Sequence, residues 1–145
     1  MRGIVLLIVT ACLIPGCSKE AGPPIDISGV RILAPVPGSR MGVAYMTIAN
    51  NSGDTMIITA ARSPQFEHVE MHETLIEDGV STMRELEDLT IEDGAVRRFE
   101  TGGAHLMLIG PEPDTAPGSP VTIEIEHNGG LLIVSATMQD RLPGQ

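Results

Sequence analysis

Four side chains in this sequence have the types and spacing to hold a soft metal ion: His72, Met83, His105 and Met107. Ten residues separate His72 from Met83, twenty-one separate Met83 from His105, and one separates His105 from Met107. Thioether sulfur combined with imidazole nitrogen suits Cu(I); magnesium and calcium prefer oxygen, and structural zinc is usually held by thiolate. All four donors are uncharged, so a bound Cu(I) would keep its positive charge. Eight acidic residues between Glu73 and Asp93 supply a favourable field for it.

Convergence of these ligands depends on the elements that carry them. In a strand, residues i and i+2 point to the same face. His105 and Met107 therefore project together, while Leu106 and Leu108 face the core. His68, Glu70 and His72 share one face of an earlier strand, and Val69 and Met71 the other, so Met71 is expected in the core. A hairpin turning at Glu77-Asp78-Gly79 would set Met83 across from residues 73 to 75, near His72. A further antiparallel neighbour bearing His105 and Met107 would complete the set.

A second reading of the same residues stands beside this one. Met is a common core filler in a chain poor in aromatics, and Met41, Met46, Met56 and Met138 are expected in that role. A lone His is usually a surface or hydrogen-bonded residue, which is the expectation for His68 and His127. Six of the twelve His and Met residues lie between His68 and Met107, and this clustering favours a site over filler.

The chain-wide pattern is that of strands. Expected segments are Ile25–Leu33, Met41–Ala49, Thr55–Ala61, Phe66–Ile76, Val80–Glu87, Ala95–Phe99, His105–Ile109, Val121–Glu126 and Leu131–Met138. They are separated by signals such as Pro35-Val36-Pro37-Gly38, Asn50-Asn51-Ser52-Gly53-Asp54 and His127-Asn128-Gly129-Gly130. Leu89–Phe99 is ambiguous, with an acidic turn at Glu92-Asp93-Gly94 before the short strand Ala95–Phe99. No window sustains a helical period for three turns. Eight or nine short strands argue for a single antiparallel β-sandwich or barrel over residues 25–140.

Composition narrows the function. The 145-residue chain carries a formal charge of −10, no Trp, one Tyr and two Phe, which disfavours phosphate binding and base stacking. Met1–Arg2 followed by the apolar run Gly3–Ile14 reads as an export leader. Ile14-Pro15-Gly16-Cys17 resembles the bacterial lipoprotein signal, with residues 1–17 removed up to a lipidated Cys17 and residues 18–24 as a flexible tether; Cys12 fits the pattern with a shorter leader. An ordinary cleaved leader and a retained anchor are the alternatives. Both cysteines lie in this region, so the rest of the chain has no thiolate nucleophile, internal disulfide or thiolate ligand. A blue-copper electron-transfer site, which needs a Cys, is excluded. No Ser lies in a nucleophile motif, and the chain is expected to be a binding protein and not an enzyme.

The spacing His72-x10-Met83-x21-His105-x-Met107 resembles the signature of the periplasmic copper chaperones called PCu(A)C. Flanking segments agree: Ala44-Tyr45-Met46-Thr47-Ile48, Val69-Glu70-Met71-His72-Glu73-Thr74, Glu77-Asp78-Gly79-Val80 and Gly102-Gly103-Ala104-His105-Leu106-Met107. The resemblance covers roughly Ile25 to Met138, departing at Thr101, where the family often has Pro. It implies a cupredoxin-like antiparallel Greek-key β-sandwich, with Cu(I) bound by His72, Met83, His105 and Met107 in an extracytoplasmic, membrane-anchored protein. Delivery toward the binuclear copper centre of cytochrome c oxidase follows by the same resemblance, with oxidase subunit II or a Sco-type thiol protein as acceptor. The C-terminal segment Gln139–Gln145 has no Met- and His-rich tail, which gives no support to a second, Cu(II) site. Copper sequestration and a metal-free interaction module are the competing functions.

Overall fold

The computed structural model describes residues 24–141. The expected leader and Cys17 lie outside the described residues, as does the tether apart from Pro24.

Alternation of apolar and polar residues, broken by Gly- and Pro-bearing turns, produces ten strands and, among the described residues, no helix. They are β1 (Ile25–Leu33), β2 (Met41–Asn50), β3 (Met56–Arg62), β4 (Phe66–Glu77), β5 (Val80–Glu85), β6 (Leu89–Ile91), β7 (Val96–Phe99), β8 (Ala104–Pro111), β9 (Pro120–His127) and β10 (Gly130–Gln139). The ambiguous Leu89–Phe99 segment holds two strands, β6 and β7, and β6 is a true strand. Its Leu89 and Ile91 are buried, and it pairs with β3 from Met56 to Ile58.

The hydrogen-bonded order is β5-β4-β8-β7-β2-β1-β10-β9-β3-β6. β5, β4, β8, β7, β2 and β1 form one layer, and β10, β9, β3 and β6 form the other. The chain passes between layers after β2, β3, β5, β6 and β8, as strand crossovers in a sandwich require. A core built from aliphatic side chains and Met lies between the layers, with Ile32, Met46, Ile48, Met56, Ile58, Leu106, Leu108, Ile123, Ile125 and Met138 almost wholly removed from water. Burying each such side chain contributes about 1.5–3 kcal/mol.

The all-β, antiparallel sandwich expected from the sequence is the fold observed, with two short parallel contacts within it. β1 and β10 join the layers through a short parallel pairing, Ile32 with Met138 and Leu33 with Gln139. β7 and β8 also touch in parallel, at Phe99 and Ala104. That second contact arises because the two strands share one edge of β2: β7 pairs with Met46–Ala49 and β8 with Met41–Ala44. The intervening Thr101-Gly102-Gly103 stretch is thus a break between two strands lying in line, and not a hairpin.

A tight turn fixes the register beside His72, and a buried amide ties the far end of β2. Asp78 and Gly79 both adopt positive φ, 52° and 78°, the geometry of a two-residue hairpin turn matched to strand twist. The turn locks β5 onto β4 so that Met83 faces Thr74 and Glu85 faces His72. Buried Asn50 ties the end of β2 to β6, donating from its amide to the carbonyls of Asp54 and Ile91.

Candidate metal centre

β5, β4 and β8 are adjacent, and their outer face carries the four residues singled out by spacing. His72 on β4 stands directly opposite His105 on β8, with ring centroids 6.0 Å apart and ring planes at 50°. Met107, two residues along β8, is opposite Glu70. Met71 pairs with Leu106 and is buried in the core, as strand parity requires.

Each imidazole has one nitrogen committed and one left over. His105 Nδ1 lies 3.1 Å from the Gly103 carbonyl, which can only accept, so Nδ1 carries the proton and Nε2 keeps its lone pair. His72 Nε2 donates to Glu70 Oε2 at 2.9 Å, leaving Nδ1 as the lone-pair nitrogen of the neutral ring. That Nδ1 is buried and has no hydrogen-bond partner. Metal-bound histidines characteristically donate their other N–H to a carboxylate or a backbone carbonyl, and both arrangements occur here. An orphaned ring nitrogen, a second imidazole with a free lone pair and nearby thioethers fit a soft cation.

The Gly103 carbonyl is held in place as it orients His105. It also accepts from the Thr74 amide of β4 at 3.1 Å, while the Gly103 amide donates to the Glu100 carbonyl at 3.1 Å. Gly102, at φ 78°, makes this tight turn in a conformation that side chains rarely adopt.

An open cavity of about 370 Å³ lies against this face, lined by His105, Met107, Met83 and Thr74 and by the apolar Val43 and Tyr45 of β2. Leu33, Val43 and Tyr45 form a small buried cluster separate from the main core, which gives the outer face its own apolar support. His72 does not line the cavity. It joins the set through His105, and on its other side meets Glu70 and Glu85, whose ligand atoms and its own lie within 4.8 Å of one another. His105 is only 7% exposed, whereas Met83, on the edge strand, is 55% exposed.

Three further groups stand at or beside these residues without being singled out by the spacing. Strand parity puts Glu70 on the same face as His72, and a carboxylate two residues before a His on one strand is the signal that points to it. The Gly103 carbonyl is backbone and carries no side-chain signal. Met41, expected as core filler, instead starts β2 on the outer face, 49% exposed, and lines the cavity with His105 and Met107. Its neighbour Gly42 takes the inward position, where an added Cβ would come within 2.8 Å of the Leu33 carbonyl oxygen. The other assignments agree with the structure: Met46, Met56 and Met138 are core residues, His68 is exposed, and His127 Nδ1 accepts from the Gly129 amide in the last hairpin.

Comparison with known proteins bears on the same segment. A family model described as "Putative lipoprotein LpqE-like" matches residues 25–135. "Putative lipoprotein Lxx21020" of Leifsonia xyli subsp. xyli is 26% identical over 132 residues, spanning 87% of this chain and 78% of that protein. The solution structure of CuI-DR1885 from Deinococcus radiodurans superposes with a TM-score of 0.66 at 27% identity, covering 89% of this chain and 87% of its own. The copper-bound PCuAC domain from PmoF2 superposes with a TM-score of 0.67 at 16% identity, covering 83% and 97% respectively.

Proposed function

Because the chain belongs to the LpqE-like (PCuAC) family, we propose that it is a copper chaperone whose cargo is a single Cu(I) held by His72, Met83, His105 and Met107. The observation that carries this reading is the opposed pair His72 and His105. Each ring is oriented through one nitrogen by a hydrogen-bond acceptor, the Glu70 carboxylate or the Gly103 carbonyl, and so has the other nitrogen available as a donor. Copper in the printed descriptions of two similar structures supports the cargo.

The donor set suits transfer. Neutral thioethers bind Cu(I) less firmly than thiolate does, so an incoming thiolate can displace them in turn. Met83 is the natural first to leave, since it is half-exposed on an edge strand whose six residues are all exposed. His105 and Met107 would hold the ion until the acceptor completes its own coordination. None of these roles needs a nucleophile or general acid, and the protein acts by binding and release.

The lipoprotein descriptions of the family model and of the Leifsonia relative support acylation at Cys17 and an extracytoplasmic site at the membrane surface. A membrane-tethered donor at that surface suits delivery toward the binuclear copper centre of cytochrome c oxidase, directly or through a Sco-type thiol protein.

A Cu(I) titration followed by X-ray absorption tests the reading. One equivalent should bind with two nitrogen and two sulfur neighbours, and His105→Ala combined with Met107→Ala should abolish tight binding while circular dichroism stays unchanged. Equal affinity in the double variant would overturn the ligand assignment. Deletion of the gene separates roles: lost oxidase activity at low copper supports delivery, and copper sensitivity alone supports sequestration.

A further inference from the structure

Met41 lies outside the four-residue spacing motif, yet the fold brings it to the same cavity. β2 pairs with β8 in the register Met41–Ile109, Gly42–Leu108 and Val43–Met107. Met41 and Met107 are therefore diagonal neighbours on one face, within reach of long side chains. Both line the cavity, with His105 in its wall and Met83 also bordering it. At 49% and 55% exposure, Met41 and Met83 are the two freely accessible thioethers around this cavity, one supplied by β2 and the other by β5.

An exposed Met at the start of a strand whose inward positions are Gly42, Ala44, Met46 and Ile48 contributes nothing to the core, so burial does not account for its place. Its unbranched, polarizable side chain is well suited to follow an ion whose other ligands are changing. The geometry points to Met41 as a further Cu(I)-ligating residue, an alternate to Met83: with His105 and Met107 it retains the ion when Met83 has been displaced. This inference rests on the copper reading above and deepens it. It gives the site two accessible thioethers, so that copper entering or leaving past one stays bound through the other. No redox step is involved; one Cu–S bond is exchanged for another.

Selective replacement by Leu, which keeps size and apolar character but removes sulfur, provides the test. Cu(I)-loaded Met83→Leu should retain two sulfur neighbours by X-ray absorption, with Met41 replacing the lost thioether, and Met83→Leu with Met41→Leu should fall to one. In chelator competition, the double variant should lose affinity about tenfold beyond the product of the two single losses. One sulfur neighbour in Met83→Leu, or single effects that simply multiply, would overturn the alternate-ligand role and leave the four-ligand reading intact. Failure of the unaltered protein to bind Cu(I) would instead remove the copper reading and this inference with it. Both positions are exposed, so the variants should fold, and thermal melting verifies this.

Discussion

His72 and His105 face each other across the β4–β8 pairing, and each donates one ring N–H to an acceptor on its own strand or turn, the Glu70 carboxylate for His72 and the Gly103 carbonyl for His105. The two imidazoles are thereby oriented before any ligand arrives. Such pre-orientation lowers the ordering cost of binding, and it places the control of affinity partly outside the donor atoms themselves.

Glu70 should accordingly tune Cu(I) affinity without contacting the ion. Glu70→Ala is expected to weaken Cu(I) binding by about 10–100-fold, the usual effect of removing a carboxylate that orients a metal-bound His. Glu70→Gln, which keeps an oxygen acceptor, should recover part of the loss. Nitrogen chemical shifts of the His72 ring provide the specific readout, because Glu70→Ala frees the ring to exchange tautomers. An unchanged tautomer and affinity would remove Glu70 from the site.

Gly102 should matter through backbone geometry. At φ 78° with nothing near its missing Cβ, Gly102→Ala meets no neighbour and pays only the cost of the left-handed conformation, about 1 kcal/mol. Relief of that strain would draw the Gly103 carbonyl from His105 Nδ1 and from the Thr74 amide. Copper affinity should then fall together with a small drop in melting temperature. Gly102→Asn, which tolerates positive φ better, should be milder in both respects. Equal behaviour of the Ala and Asn variants would argue against the conformational cause.

Met71 and His72, adjacent in sequence, should separate stability from binding. Met71→Ala empties a core position and should cost about 2–5 kcal/mol by denaturant unfolding, with Cu(I) affinity of the folded protein preserved. His72→Ala should do the reverse, lowering affinity at little cost in stability, since its ring lies on the outer face beside partly exposed carboxylates. A large affinity loss in Met71→Ala at temperatures where the variant is folded would contradict the facing assigned from strand parity.

Local periodicity explains what could be read before folding. Side chains alternate along a strand because the backbone is pleated, so the pairing of His105 with Met107 and the inward turn of Met71, Leu106 and Leu108 follow from residue order alone. The Asp78-Gly79 turn fixes its own register through two positive φ values, and Met83 opposite Thr74 follows from it. Pairings between strands distant in sequence have no such local origin. That β8 pairs with β4 on one side and with β2 on the other is decided by closing a common core, and only this brings Met41 beside Met107 and Val43 and Tyr45 beneath the cavity. The same closure produces the parallel contact of β1 with β10, between segments more than a hundred residues apart. Residue types and spacing point to the candidate donors and the face on which they stand; long-range strand pairing selected their neighbours, because pairing over such separations is driven by burial of the whole core and leaves no signal in any single stretch of chain.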